Sequence, residues 1–120
     1  MPLLTTGVIE NTAPSGGQFA GIRPTQTFTV KIANHDVVPA TIEIRAFFVS
    51  GINLTLYGLN LISLLPAEVA KFVFFANFDE FGFEFFTSSG AVKISTWGKD
   101  ADGNLTAAHR LVADEIEPIL

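Results

Sequence analysis

Thr27-Phe28-Thr29-Val30-Lys31-Ile32 and, after a turn, Thr41-Ile42-Glu43-Ile44-Arg45-Ala46 alternate apolar and polar residues with a period of two. In an extended strand successive side chains point to opposite faces, so Phe28, Val30 and Ile32 share one face and Thr27, Thr29 and Lys31 the other. The second run repeats the pattern, with Ile42, Ile44, Ala46 and Phe48 opposite Thr41, Glu43 and Arg45. A helix would need its apolar positions three and four residues apart. Asn34-His35-Asp36 opens a turn between the two runs, and Pro39, which has no N–H to give to a ladder, keeps the turn out of the sheet.

Outward from this pair the same logic gives further short strands. Ser50-Gly51 breaks the second run. Leu54-Thr55-Leu56 and Leu59-Asn60-Leu61 follow, with Gly58 shifting the phase between them as a β-bulge does. After Pro66 come strands over 69–77, 81–86 and 92–97. Asp102-Gly103 marks a hairpin, because both residues tolerate positive φ, and a strand over 105–112 returns from it. Residues 113–117 read as a helical turn stopped by Pro118. Seven or eight strands at this spacing predict an all-β fold, a jelly-roll-like antiparallel β-sandwich with an extended N-terminal arm. Residues 1–24 form the arm and a spacer rich in Gly, Pro, Ser and Thr; residues 25–120 form the sandwich body.

Composition narrows the function. The 120 residues are 48% hydrophobic and only 16% charged, and twelve are Phe. Disordered chains carry few aromatics and much charge, so the chain folds. A net charge of −5 argues against nucleic acid as a partner, since phosphates must be neutralised by lysine and arginine. The absence of Cys excludes disulfides and thiolate chemistry. Residues 46–67 carry no charge and are long enough to cross a bilayer, but Asn53, Asn60, Ser50, Ser63, Gly51 and Gly58 interrupt them with strand periodicity, so no membrane insertion is expected. The first residues lack a basic segment and a long apolar stretch, unlike a Sec signal peptide.

Three runs break the alternation: Phe47-Phe48-Val49, Phe72-Val73-Phe74-Phe75 and Phe85-Phe86. They put apolar groups on both faces, and a small sandwich has few strands covered on both sides. Leaving several Phe side chains in water would create a patch that monomers rarely expose. Phe47, Val49, Phe72, Phe74 and Phe86 are therefore expected at subunit contacts. In the arm, Leu3, Leu4, Val8 and Ile9 lie in a strand over 5–10 and its approach, weakened by Gly7. That segment reads as a disordered terminus, as an ordinary first strand packed on its own domain, or as a strand donated to the open sheet edge of a neighbouring copy.

No residue cluster announces chemistry. Asp100, Asp102 and Asn104 sit at the alternate positions that open a calcium loop, but positions six and twelve, which need Gly and Glu, are Leu105 and Leu111. A plain hairpin turn is the reading here. His35 and His109 have no ligating spacing, Asp79-Glu80 reads as a surface turn, and Trp97 and Tyr57 read as packing residues. No catalytic residue, metal site or cofactor is expected.

Phe28-Thr29-Val30-Lys31-Ile32-Ala33-Asn34, Phe75-Ala76-Asn77-Phe78-Asp79 and the stretch from Trp97-Gly98-Lys99-Asp100 through Ala108-His109-Arg110-Leu111-Val112 resemble small β-domain proteins of spore-forming Firmicutes. The plan of a flexible arm before a cysteine-free β domain resembles the subunits of endospore appendage fibres, in which jelly-roll subunits stack and an N-terminal connector reaches into the next copy. Better-known appendage subunits carry connector cysteines, and this chain has none. The resemblance implies a structural homopolymer at the spore surface or outside the cell, made without a Sec signal, with a spore-surface anchor protein as a further partner. The expected function is a non-enzymatic subunit that self-assembles into a fibre or surface layer by arm donation and apolar packing. The alternatives are a monomeric or closed-oligomer ligand-binding or adhesive β-sandwich, and a viral capsid-type jelly roll.

Overall fold

A computed structural model of the chain describes residues 3–111 and 116–118. Its strands are β1 (Leu3–Glu10), β2 (Thr27–Asn34), β3 (Ala40–Ser50), β4 (Asn53–Leu64), β5 (Val69–Phe75), β6 (Glu80–Thr87), β7 (Val92–Lys99), β8 (Leu105–Leu111) and β9 (Glu117–Pro118). They form two antiparallel sheets, one in the order β4-β3-β6-β1-β9 and the other β5-β2-β7-β8. The fold is the expected all-β sandwich. The nested pairs β3–β6 and β2–β7 lie in opposite sheets, which is the jelly-roll-like feature of the wind.

The two runs that alternate most strictly supply the centre of each sheet. Phe28, Val30 and Ile32 of β2 and Ile42, Ile44 and Ala46 of β3 are fully buried and face one another with Phe81, Phe83 and Phe85 of β6. Phe28 stacks on Phe83 with ring centroids 4.9 Å apart and meets Phe81 edge-on at 5.2 Å. Each such ring contributes roughly 1.5–3 kcal/mol by leaving water.

Two buried asparagines close the ends of the sandwich, where strands stop and carbonyls converge. At one end Asn11 Nδ2 donates to the carbonyls of Thr25, Ala76 and Phe78 at 2.9, 3.2 and 2.9 Å, while its Oδ1 accepts from Thr25 N–H at 2.9 Å. At the other, Asn34 Nδ2 donates to the carbonyls of Val38 and Leu64, and its Oδ1 accepts from Asp36 N–H.

The predicted bulge in β4 is present. Ala46 pairs with Gly58 and Phe47 with Leu56, which leaves Tyr57 without a partner on β3. Tyr57 turns into the gap between the sheets beside Phe78, at 4.9 Å, and its hydroxyl donates to the carbonyl of Phe75. This contact ties β4 to β5, and burial pushes the phenol's pKa up.

Three expectations are corrected or limited. The expected arm contains a strand of the five-stranded sheet. β1 pairs with β6 on both sides of a bulge, and with β9; the one-residue shift at the bulge brings Leu4 and Ile9, an odd number of positions apart, onto the same core face of that sheet. The cause of its irregular middle is the bulge between Thr5 and Val8, where Gly7 takes a φ of 69°. The strand expected over 69–77 ends at Phe75, where Ala76 N–H turns to the Gln26 carbonyl. Of the expected helical turn, residues 113–115 lie outside the described residues, as does Val112, and Glu117–Pro118 pair with Thr5 and Leu4 as a strand.

Candidate functional site: the two outer faces of the sandwich

The bulge at Tyr57 decides what β4 shows to solvent. Without it Leu54 and Leu56 would face opposite to Leu59 and Leu61. With it all four point outward, at 53%, 50%, 58% and 71% exposure. The inward positions of the same strand include Gly58 and Asn60, in register with buried Ala46 and Ile44. The more apolar face of this strand is thus turned away from its own core. β4 is also the edge of its sheet, twelve residues long, and among the described residues no strand pairs with its outer side.

Beside this row lie outward-facing residues of the other strands. Phe47 and Val49 of β3, in register with Leu56 and Leu54, and Phe86 of β6, in register with Leu3 of β1, are half-buried. Val8 is 53% exposed. Between them Arg45 Nε donates to Glu43 Oε1 at 2.7 Å, with Glu84 4.0 Å away. The hydrogen bond to Glu43 holds the guanidinium's pKa above its usual range.

The four-stranded sheet also has an apolar outer face. Val69, Val73 and Phe75 of β5 are 57–59% exposed, and Trp97 of β7 stands in register with Thr29 beside them. The four lysines of the chain project from the same face: Lys31, Lys71, Lys93 and Lys99.

The residues expected at subunit contacts divide by face. Phe47, Val49 and Phe86 lie on the outer face of the five-stranded sheet. Phe72 and Phe74 oppose buried Val30 and Phe28 on the inward face of β5 and pack, partly buried, against the core. In β1, Leu3 and Val8 face outward while Leu4 and Ile9 pack inward on the chain's own core.

The polar candidates are structural in their contacts. Asp100 folds the β7–β8 hairpin: its carboxylate accepts from the N–H groups of Asp102 and Asn104, each at 2.9 Å. These hydrogen bonds lower its pKa, with the backbone of Asn104 the main cause. Asp79 accepts from Arg23 Nε at 2.9 Å. His35 is exposed. His109 is buried beside Asn11's network, with Thr25 Oγ1 2.6 Å from Nδ1 and the Glu10 carbonyl 2.9 Å from Nε2. A carbonyl only accepts, so Nε2 carries the proton and Thr25 donates to Nδ1. Burial lowers this histidine's pKa. Among the described residues no three His, Asp or Glu side chains are grouped as metal ligands.

The leucine row and the lysine face were not singled out from sequence. The signal for the first is the phase shift at Gly58. For the second it is that Lys31 occupies a polar position of a strictly alternating run.

The fold defines the chain as a two-sheet antiparallel sandwich, and the solved structures similar to it share that architecture. The crystal structure of Thermotoga maritima 1070 matches over 88% of this chain and 86% of its own, with TM-score 0.51 and 10% identity. The Anabaena sensory rhodopsin transducer matches over 84% of this chain and 91% of its own, with TM-score 0.52 and 10% identity. No family model matches the chain, and no curated protein does.

Proposed function

We propose that this protein is a non-catalytic structural subunit that associates with copies of itself into a fibre or surface layer. The observation that carries this reading is the outward leucine row on an unpaired edge strand. The bulge that turns Tyr57 inward leaves four leucines facing water, and a partner surface regains the burial energy of each. Exposed strand edges are also templates for pairing with another chain. β1 adds a route: it joins the body through the exposed spacer, and the same β1–β6 register can form between copies by strand donation. The setting we propose is the bacterial spore surface, on the resemblance of residues 28–34, 75–79 and 97–112, with an anchor protein as second partner.

The test is the size of the protein in solution. Wild type is expected as large, heterogeneous species by light scattering and as filaments or sheets in negative-stain micrographs. The double variant L59E/L61E, altered only at exposed positions, is expected to keep its far-UV circular dichroism and to fall to a single small mass. A wild type of one monomer mass at every concentration overturns the reading.

A second reading rests on a groove of about 400 Å³ between the spacer and the β7–β8 hairpin, lined by Phe19, Ile22, Pro24 and Leu105. On that reading the protein is a ligand-binding or adhesive sandwich working as a monomer or closed oligomer. One discrete mass in light scattering favours it.

A further inference from the structure

Charge is segregated between the two faces. The lysine-bearing sheet has no carboxylate in any of its four strands. The outer face of the other carries Glu10, Glu43, Glu80 and Glu84, with Arg45 as the one cation among β1, β3, β4 and β6. Two cross-strand pairs make this unfavourable for a molecule alone. Lys31 stands directly opposite Lys71, and Glu10 directly opposite Glu80. Like charges so placed destabilise a sheet. Among the described residues these four side chains form no ion pair.

We propose that the glutamate-bearing face of one copy packs against the lysine-bearing face of the next. This rests on the self-association proposed above and specifies its contact. Unlike charges then meet around apolar rows: Leu59 and Leu61 on one side, Val73 and Phe75 on the other. Joining two glutamate faces would bring like charges together, which disfavours a symmetric dimer through that face. A contact between two different faces does not close on itself and propagates as a stack. The molecule measures 50 × 29 × 21 Å, so its broad faces can supply the roughly 800 Å² per partner that stable interfaces use. Two packed sheets with side chains on both outer faces give a repeat of roughly 20 Å along the stack.

Charge reversal tests the contact. The variants K31E/K71E/K93E and E10K/E80K are each expected to remain small by light scattering, because both faces of each then carry the same sign. Their equimolar mixture is expected to assemble again, and wild-type assemblies are expected to shrink as salt rises. Far-UV circular dichroism checks that each variant is folded; should either not fold, the wild-type salt response decides. Assembly of either variant alone at wild-type level, a mixture that stays small, or wild-type assemblies indifferent to salt would overturn the face-to-face contact while self-association stands. A wild type that is monomeric throughout overturns both. Monomeric wild type that binds phosphatidylserine vesicles through these lysines would replace the second copy by an anionic surface.

Discussion

His109 shows how a single side chain can make stability depend on pH. Both ring nitrogens are committed to Thr25 and Glu10, and a proton on Nδ1 would meet the Thr25 hydroxyl as a second donor competing for the same position. The folded pKa is lowered, so the unfolded chain binds the extra proton first. Stability from this group is full above the unfolded value near 6.5 and is lost as pH falls from there through the lower folded pKa. Urea midpoints for wild type should decline over that window, and H109Q should flatten the decline. Asp36 and Asp100 add a separate loss at lower pH. Their folded pKa values are depressed, Asp36 chiefly by the Ser89 hydroxyl, so their contribution falls away below the usual carboxylate range. Gly82 is a different single-residue constraint: a Cβ there would lie 2.6 Å from the carbonyl oxygen of Gly7, inside the β1 bulge. G82A is expected to cost about 2 kcal/mol in urea unfolding, and an unchanged midpoint would show that β1 yields easily. Contacts of this kind were not legible in sequence. Asn11 and Asn34 look like ordinary turn residues until the fold brings the carbonyls of Ala76 and Phe78 to the one and that of Leu64 to the other.

Elements were the most legible level, because period-two alternation is a local property. The runs around Phe28 and Ile42 became β2 and β3, Asp102-Gly103 became a hairpin, and the Gly58 phase shift became a bulge. Alternation does not say which face turns inward, however. For β5 the run Phe72-Val73-Phe74-Phe75 is apolar on both sides, and pairing with β2 selects Phe72 and Phe74 for the core and leaves Val73 and Phe75 outside. For β4 the same ambiguity resolves against local hydrophobicity. Its position at a sheet edge, in register with Ala46 and Ile44, requires small Gly58 and Asn60 inside.

At the scale of the molecule, the place of the first strand depended on long-range pairing, which composition cannot supply. Leu3–Glu10 lies between β6 and β9, contributes Leu4 and Ile9 to the core, and is followed by the Asn11 clamp. Removing residues 1–11 is therefore expected to lower the thermal midpoint by many degrees or leave the protein insoluble. A truncated chain as stable as wild type would mean that β1 is not held by its own sheet. The candidate surface was legible only in part. Phe47, Val49 and Phe86 stood out by breaking alternation, but the grouping of charge by sheet could not be seen before the strand order was known.

That grouping has a practical corollary. Apart from the α-amino group, every primary amine of the protein lies on one broad side. Amine-selective dyes would colour that side alone, and a chain coupled through its lysines to an activated support would lie flat, displaying its leucine row to the liquid.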